Sequence, residues 1–191
     1  MAKNSVTIPN THANRGRALE TLVEQANAIY RSQGTAVIHK VPTAWVPLRR
    51  GPKIVTAKVE KKAAVDFLGH VTVPGYYWAL PIAFDAKEVS KGDRWPLSRL
   101  EPHQYEYLKD CSRTGAFTFV LIGYWQLRRF FVLPFSELEK RLAGRQAGGS
   151  ASVKAGEKGL IEVEFMDYLR FLQSERSFNH VPDFQHRESS G

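Results

Sequence analysis

The chain has 191 residues, 43% hydrophobic and 24% charged, with a formal net charge of +8 and a single cysteine. That length supports one domain with a substantial core, and one cysteine excludes an internal disulfide and any cysteine-cluster metal site. The positive excess favours an anionic partner, while the absence of an apolar run near ~18–20 residues, or of a secretory leader, points to a cytoplasmic protein without a membrane span.

Residues 1–13 are polar, lack periodicity and contain a proline, so a flexible arm is expected there. From Asn14, the residues Leu19, Leu22, Val23, Ala26, Ile29 and Tyr30 recur at helical spacing, and Gly34 is placed to end an amphipathic helix. TAVIHK is a β-branched run suited to a strand. The segment 41–62 that follows holds Pro42, Pro47 and Pro52 and the turn signal RRGPK, which argue against a central strand, whereas KIVTAKVE alternates well enough to return as an exposed one. From Lys40 to Lys62, Lys40, Arg49, Arg50, Lys53, Lys58, Lys61 and Lys62 stand against a single acid, Glu60, so a basic, hairpin-like excursion protruding from the domain is predicted.

AAVDFLGH and YYWALPIAFDAKEV read as two strands joined around Pro74–Gly75. RLEPHQYEYLKDCSRTG reads as a helix with Pro102 in its first turn, Gly115 as terminator, and Gln104 on the inward stripe with Leu100, Tyr107, Leu108 and Cys111. FTFVLIGYW and RRFFVLPF are the most apolar runs and predict buried neighbouring strands, after which Ser136 and Glu139 form a candidate capping box opening a further helix. Residues 144–159 read as a flexible loop, LIEVEF as a strand, MDYLRFLQ as a helix and 182–191 as a flexible tail. The order predicts one α/β domain over residues 14–181, built on a mixed sheet flanked by helices.

Strand alternation puts Asp85 and Lys87 on one face, about 6 to 7 Å apart. Alone, the pair is better explained by a local ion bridge than by chemistry. If the Asp66 strand is its neighbour, two carboxylates and an ammonium converge, an arrangement suited to Mg²⁺, a hard cation that takes one or two carboxylates and keeps positions for water and phosphate oxygens. Glu20, beside the apolar face of the first helix, reads on pattern alone as a surface ion-pair partner. Gln104, inward-facing, must find hydrogen-bond partners, either backbone groups or a site. The six histidines show no ligand spacing.

The opening NRGRALE, the strand GTAVIHKVPT, the Asp66 strand, FDAKE, HQYEYLKDC, FVLI and RRFFVL together resemble the RecU-type Holliday junction resolvases of the PD-(D/E)xK nuclease superfamily, from about Asn14 to Phe135. The resemblance implies a restriction-endonuclease-like fold, Mg²⁺ as cofactor with Mn²⁺ as a possible substitute, and a homodimer acting on four-way or other branched DNA. It implies Asp66, Asp85, Lys87, Glu20 and Gln104 as catalytic residues, with Asp66, Asp85 and Gln104 toward the metal. This sequence has Asp85 where relatives usually show glutamate. The basic excursion corresponds to the family's stalk, and Arg15, Arg17, Lys40, Arg49, Arg50, Lys53, Lys58, Lys61 and Lys62 are the expected DNA contacts; Trp45 is suited either to stacking on a base or to packing of stalk on body. Paired symmetric nicks leaving 5′-phosphate ends are the implied reaction. A related nuclease acting on duplexes or flaps, and a non-catalytic DNA-binding protein, are the alternatives.

Overall fold

A computed structural model describes residues 12–42, 44–50, 52–61, 63–74, 78–164 and 167–172. Most of the expected N-terminal arm and all of the tail lie outside them. The first helix, α1 (His12–Gln33), begins within the expected arm. It buries Leu19, Val23, Ala26 and Tyr30 and ends at Gly34, whose positive φ suits a residue without Cβ.

The main sheet has six strands in the order β1-β4-β5-β7-β8-β10, with β1 Ala36–Lys40, β4 Phe67–Val71, β5 Leu80–Val89, β7 Phe117–Tyr124, β8 Arg129–Pro134 and β10 Ile161–Val163. Only β5 and β7 run parallel among these pairs, which makes the sheet mixed as expected. β7 is buried along its whole length, and its continuous apolar sequence reflects cover on both faces. On one face, Phe67, Phe84 and Phe119 stack across three adjacent strands beneath α1, with centroids 4.9 Å and 4.5 Å apart. On the other face, α2 (Pro102–Arg113) and α3 (Phe135–Gln146) cover Ala83, Val120, Ile122 and Leu133 with Leu108 and Leu138.

The excursion folds as a ribbon of its own. β2 (Ala44–Arg50) and β3 (Lys53–Lys61) pair antiparallel, closing at Arg50 opposite Lys53. Pro47 is accommodated because each strand of a two-stranded ribbon is an edge.

Four expectations change. α3 starts at Phe135 with Pro134 as its cap and no side-chain cap bond, because burial of Phe135 against Tyr105 fixes the start ahead of Ser136. The capping box lies instead at α2, between Glu101 and Gln104. Residues 144–159 are not simply a loop: β9 (Ser152–Lys154) pairs with β6 (Arg94–Pro96), and buried Val153 accepts a hydrogen bond from Tyr124 Oη at its carbonyl, 2.8 Å. The helix expected over MDYLRFLQ is represented among the described residues by a 3₁₀ turn, Arg170–Leu172; Tyr30 of α1 receives Leu169 N–H and donates to Asp167, tying this segment to α1 by side-chain bonds.

Gly69 lies hard against β1, since a Cβ there would stand 2.2 Å from the Val37 carbonyl oxygen. Gly69→Ala is therefore expected to force the edge strand away and cost about 3 kcal/mol, measurable as a lowered urea midpoint.

Candidate active site

The pairing of β4 with β5 reaches Phe67 opposite Phe84 and stops. Beyond it β4 has no further residues, so the Ala86 N–H on β5 loses its strand partner, and the carboxylate of Asp66 takes that role at 2.8 Å. Asp66 is thereby brought beside Asp85, which is wholly buried. Alternation along β5 turns Asp85 and Lys87 toward α2, with Ala83 and Val89, and leaves Phe84 and Ala86 toward α1.

Gln104 reaches this pair from the first turn of α2, where Pro102 supplies a preset helical φ. Its Nε2 donates to Asp85 Oδ1 at 2.9 Å, while its Oε1 accepts from Lys87 Nζ at 3.0 Å and from the Glu101 N–H at 3.1 Å. Lys87 closes the ring through an ion pair with Asp85 Oδ2. That buried oxygen receives no hydrogen bond of ordinary geometry, so the ammonium is its counterpart. Burial first, and the neighbouring Asp66 carboxyl second, push Asp85 up to about 8, against the opposing pull of Lys87.

The donor set suits a hard divalent cation. Two adjacent carboxyls, one holding its proton because burial and its neighbour disfavour a second charge, would lose that conflict on binding a dication. Among the described residues no group of three or more histidine, cysteine or acidic side chains is placed to hold a metal. Gln104, expected toward the metal, bridges Asp85 and Lys87 and accepts at its Oε1 from Lys87 and from the Glu101 N–H.

The sequence profile of the family described as Recombination protein U matches residues 14–174. The chain belongs to the RecU family. Among its relatives, a Holliday junction resolvase RecU of Pediococcus pentosaceus is 32% identical over 159 residues, 80% of this chain and 76% of the relative. Those of Limosilactobacillus reuteri and Oenococcus oeni are 32% and 33% identical over 148 residues, covering 74% of this chain and 70% and 72% of the relatives.

In this RecU-family chain Asp66, Asp85, Lys87 and Gln104 come together, and Glu20 stands on α1. Glu20 pairs with Lys40 Nζ at 2.8 Å, and Glu24 lies 3.6 Å from the same ammonium; Lys40 lies opposite Phe67 in the β1–β4 pairing. Lys40, expected as a DNA contact, thus stands at the root of the ribbon bound to two acids. Arg50 and Lys53 are exposed at the ribbon's turn. The side chains of Arg15, Arg17, Trp45, Arg49, Lys58 and Lys61 lie outside the described atoms, and Lys62 outside the described residues.

One residue escaped the sequence reading. Glu88, next to Lys87, is buried on the α1 face, where its Oε1 accepts from the Leu19 backbone N–H at 2.6 Å and its Oε2 from Trp125 Nε1 at 2.9 Å. The signal was an acid at a strand position whose same-face neighbours, Phe84 and Ala86, are apolar.

Proposed function

We propose that this RecU-family protein is an endodeoxyribonuclease that resolves four-way DNA junctions by paired symmetric nicks, hydrolysing phosphodiester bonds at the Asp66–Asp85–Lys87 site. The observation carrying this is the ring of Asp85, Lys87 and Gln104 closed beside the Asp66 carboxyl in a chain of that family. Asp66 and Asp85 would hold Mg²⁺, or Mn²⁺ in its place. When bound, such an ion supplies charge stabilisation at the phosphate and a more acidic water.

The remaining work falls to the chain itself. Gln104 fixes the carboxylate and ammonium relative to each other, so neither has to reorient when substrate arrives. Lys87, half-buried, presents positive charge to the scissile phosphate and offsets the charge that develops there. Selectivity is assigned to the basic ribbon, whose cations read junction shape through phosphates with little reading of bases. Cutting two opposed strands requires two such sites, supplied here by a homodimer. The enzyme is placed in the cytoplasm, with the DNA it acts on.

The test is cleavage of a synthetic four-way junction against linear duplex and flap DNA of matched sequence, with and without Mg²⁺. Metal-dependent, paired nicking of the junction in preference to both is expected, with binding that weakens steeply as salt rises. Equal cleavage of linear duplex would favour a duplex nuclease, and binding without cleavage under every condition a non-catalytic protein.

A further inference from the structure

Glu88 is one of few charged residues buried in the described structure, and a buried carboxylate is costly unless its oxygens are matched by donors. Both are. The partners come from elements far apart in sequence: Leu19 lies 69 residues before Glu88, and Trp125, 37 residues after it, belongs to the turn joining β7 to β8. A third element is tied to the same residue through its backbone, because Arg99, just ahead of α2, donates from Nη1 to the Glu88 carbonyl at 2.6 Å. Burial pushes the Glu88 carboxyl up, and the two donated hydrogen bonds pull it back.

The location gives these contacts meaning. The Leu19 N–H lies inside α1, where a helical amide ordinarily bonds only to the carbonyl four residues earlier. The residue pinned this way immediately precedes Glu20, which holds Lys40 at the root of the basic ribbon. The residue doing the pinning immediately follows Lys87, whose side chain leaves β5 toward the opposite face. Glu88 therefore joins the α1 layer to the strand that carries the reacting groups.

We infer that Glu88 is a positioning residue of this nuclease: its carboxylate fixes the Leu19–Glu20 turn of α1 against β5 and so holds Lys87 and Asp85 at their working places. The catalytic part of this inference rests on the activity proposed above; the anchoring part does not. Glu88→Gln keeps size and shape but turns an NH₂ toward either the Leu19 or the Trp125 N–H, setting donor against donor. Adding Trp125→Phe removes one of those donors, so that the Gln oxygen serves Leu19 and its NH₂ faces an aromatic ring. Rescue by the second substitution ties the defect to this hydrogen-bond pairing, and unchanged junction affinity separates it from a general loss of fold.

The experiment compares wild type, Glu88→Gln and Glu88→Gln/Trp125→Phe as full-length proteins. It measures single-turnover cleavage of a four-way junction in Mg²⁺, junction affinity in EDTA, and hydrogen exchange at the Leu19 amide. Glu88→Gln is expected to cleave about 10²-fold more slowly, the scale of a misplacement near 1 Å, with affinity unchanged and Leu19 exchanging faster. The double variant is expected to recover most of the rate and of the protection. Wild-type cleavage by Glu88→Gln, or an equally slow double variant, would overturn the positioning role. If the wild type cuts no junction, the activity reading fails and the catalytic role with it. Leu19 exchange then decides the anchoring alone: unchanged exchange in Glu88→Gln refutes it, and faster exchange restored in the double variant supports it.

Discussion

Asp85→Asn is expected to lower the rate of junction cleavage by about 10²–10³-fold, the scale seen when one preorganised charged or polar group is removed from an active site. Junction binding without metal should be as tight as in the wild type, because burial and the Asp66 carboxyl already favour the neutral form of Asp85. The fold should survive. Asp85 already favours its neutral form at ordinary pH, so the uncharged amide adds no burial penalty, and its oxygen can still accept from Gln104 Nε2. The local cost is an amide NH₂ set against the Lys87 ammonium. Cleavage on a four-way junction, binding in EDTA and thermal unfolding together check this. Retained cleavage would withdraw Asp85 as a metal ligand.

The second large effect is on stability as a function of pH. Asp85 titrates near 8 in the folded protein against 3.8 for a free carboxyl, because it is buried and lies beside Asp66. Between those values the folded chain binds more protons than the unfolded one, so metal-free stability must fall as pH rises across the interval. The contribution is fully present below about pH 4 and gone above about pH 8. A divalent cation that takes the carboxylates displaces this proton, so its stabilisation grows in the same direction. Melting temperatures of metal-free protein should decline from about pH 5 to about pH 8, and Mg²⁺ should raise them most at the upper end. Asp85→Asn should flatten both trends, which separates this carboxyl from the other titrating groups.

How much was legible in the sequence follows from the range of each interaction. Asp85 and Lys87 share a face by strand alternation alone, and Asp66 joins them as soon as consecutive strands pair, so this part needed only local rules. Gln104 was legible because a helix stripe placed a polar residue inward. Its bridging role was not, because that depends on two partners on another element. Glu20 entered through family resemblance, and its pairing with Lys40 depends on how α1 lies over β1. Glu88 showed in the sequence only as an acid on an apolar strand face; its role was not legible there because its partners are supplied by the three-dimensional fold. β9 was hidden by a Gly- and Ser-rich surrounding in which Val153 alone is buried in that strand.

The aromatic stack under α1 has a consequence for the carboxyl pair on the other face of the sheet. Asp66 and Asp85 are the immediate chain neighbours of Phe67 and Phe84, whose rings lie 4.9 Å apart on the reverse side of the sheet. The spacing of the carboxyl pair is thus tied to a buried aromatic contact on the opposite face of the sheet. A change of ligand length at position 85 leaves that contact untouched, whereas a change of ring size at Phe67 or Phe84 resets it without altering a single polar atom.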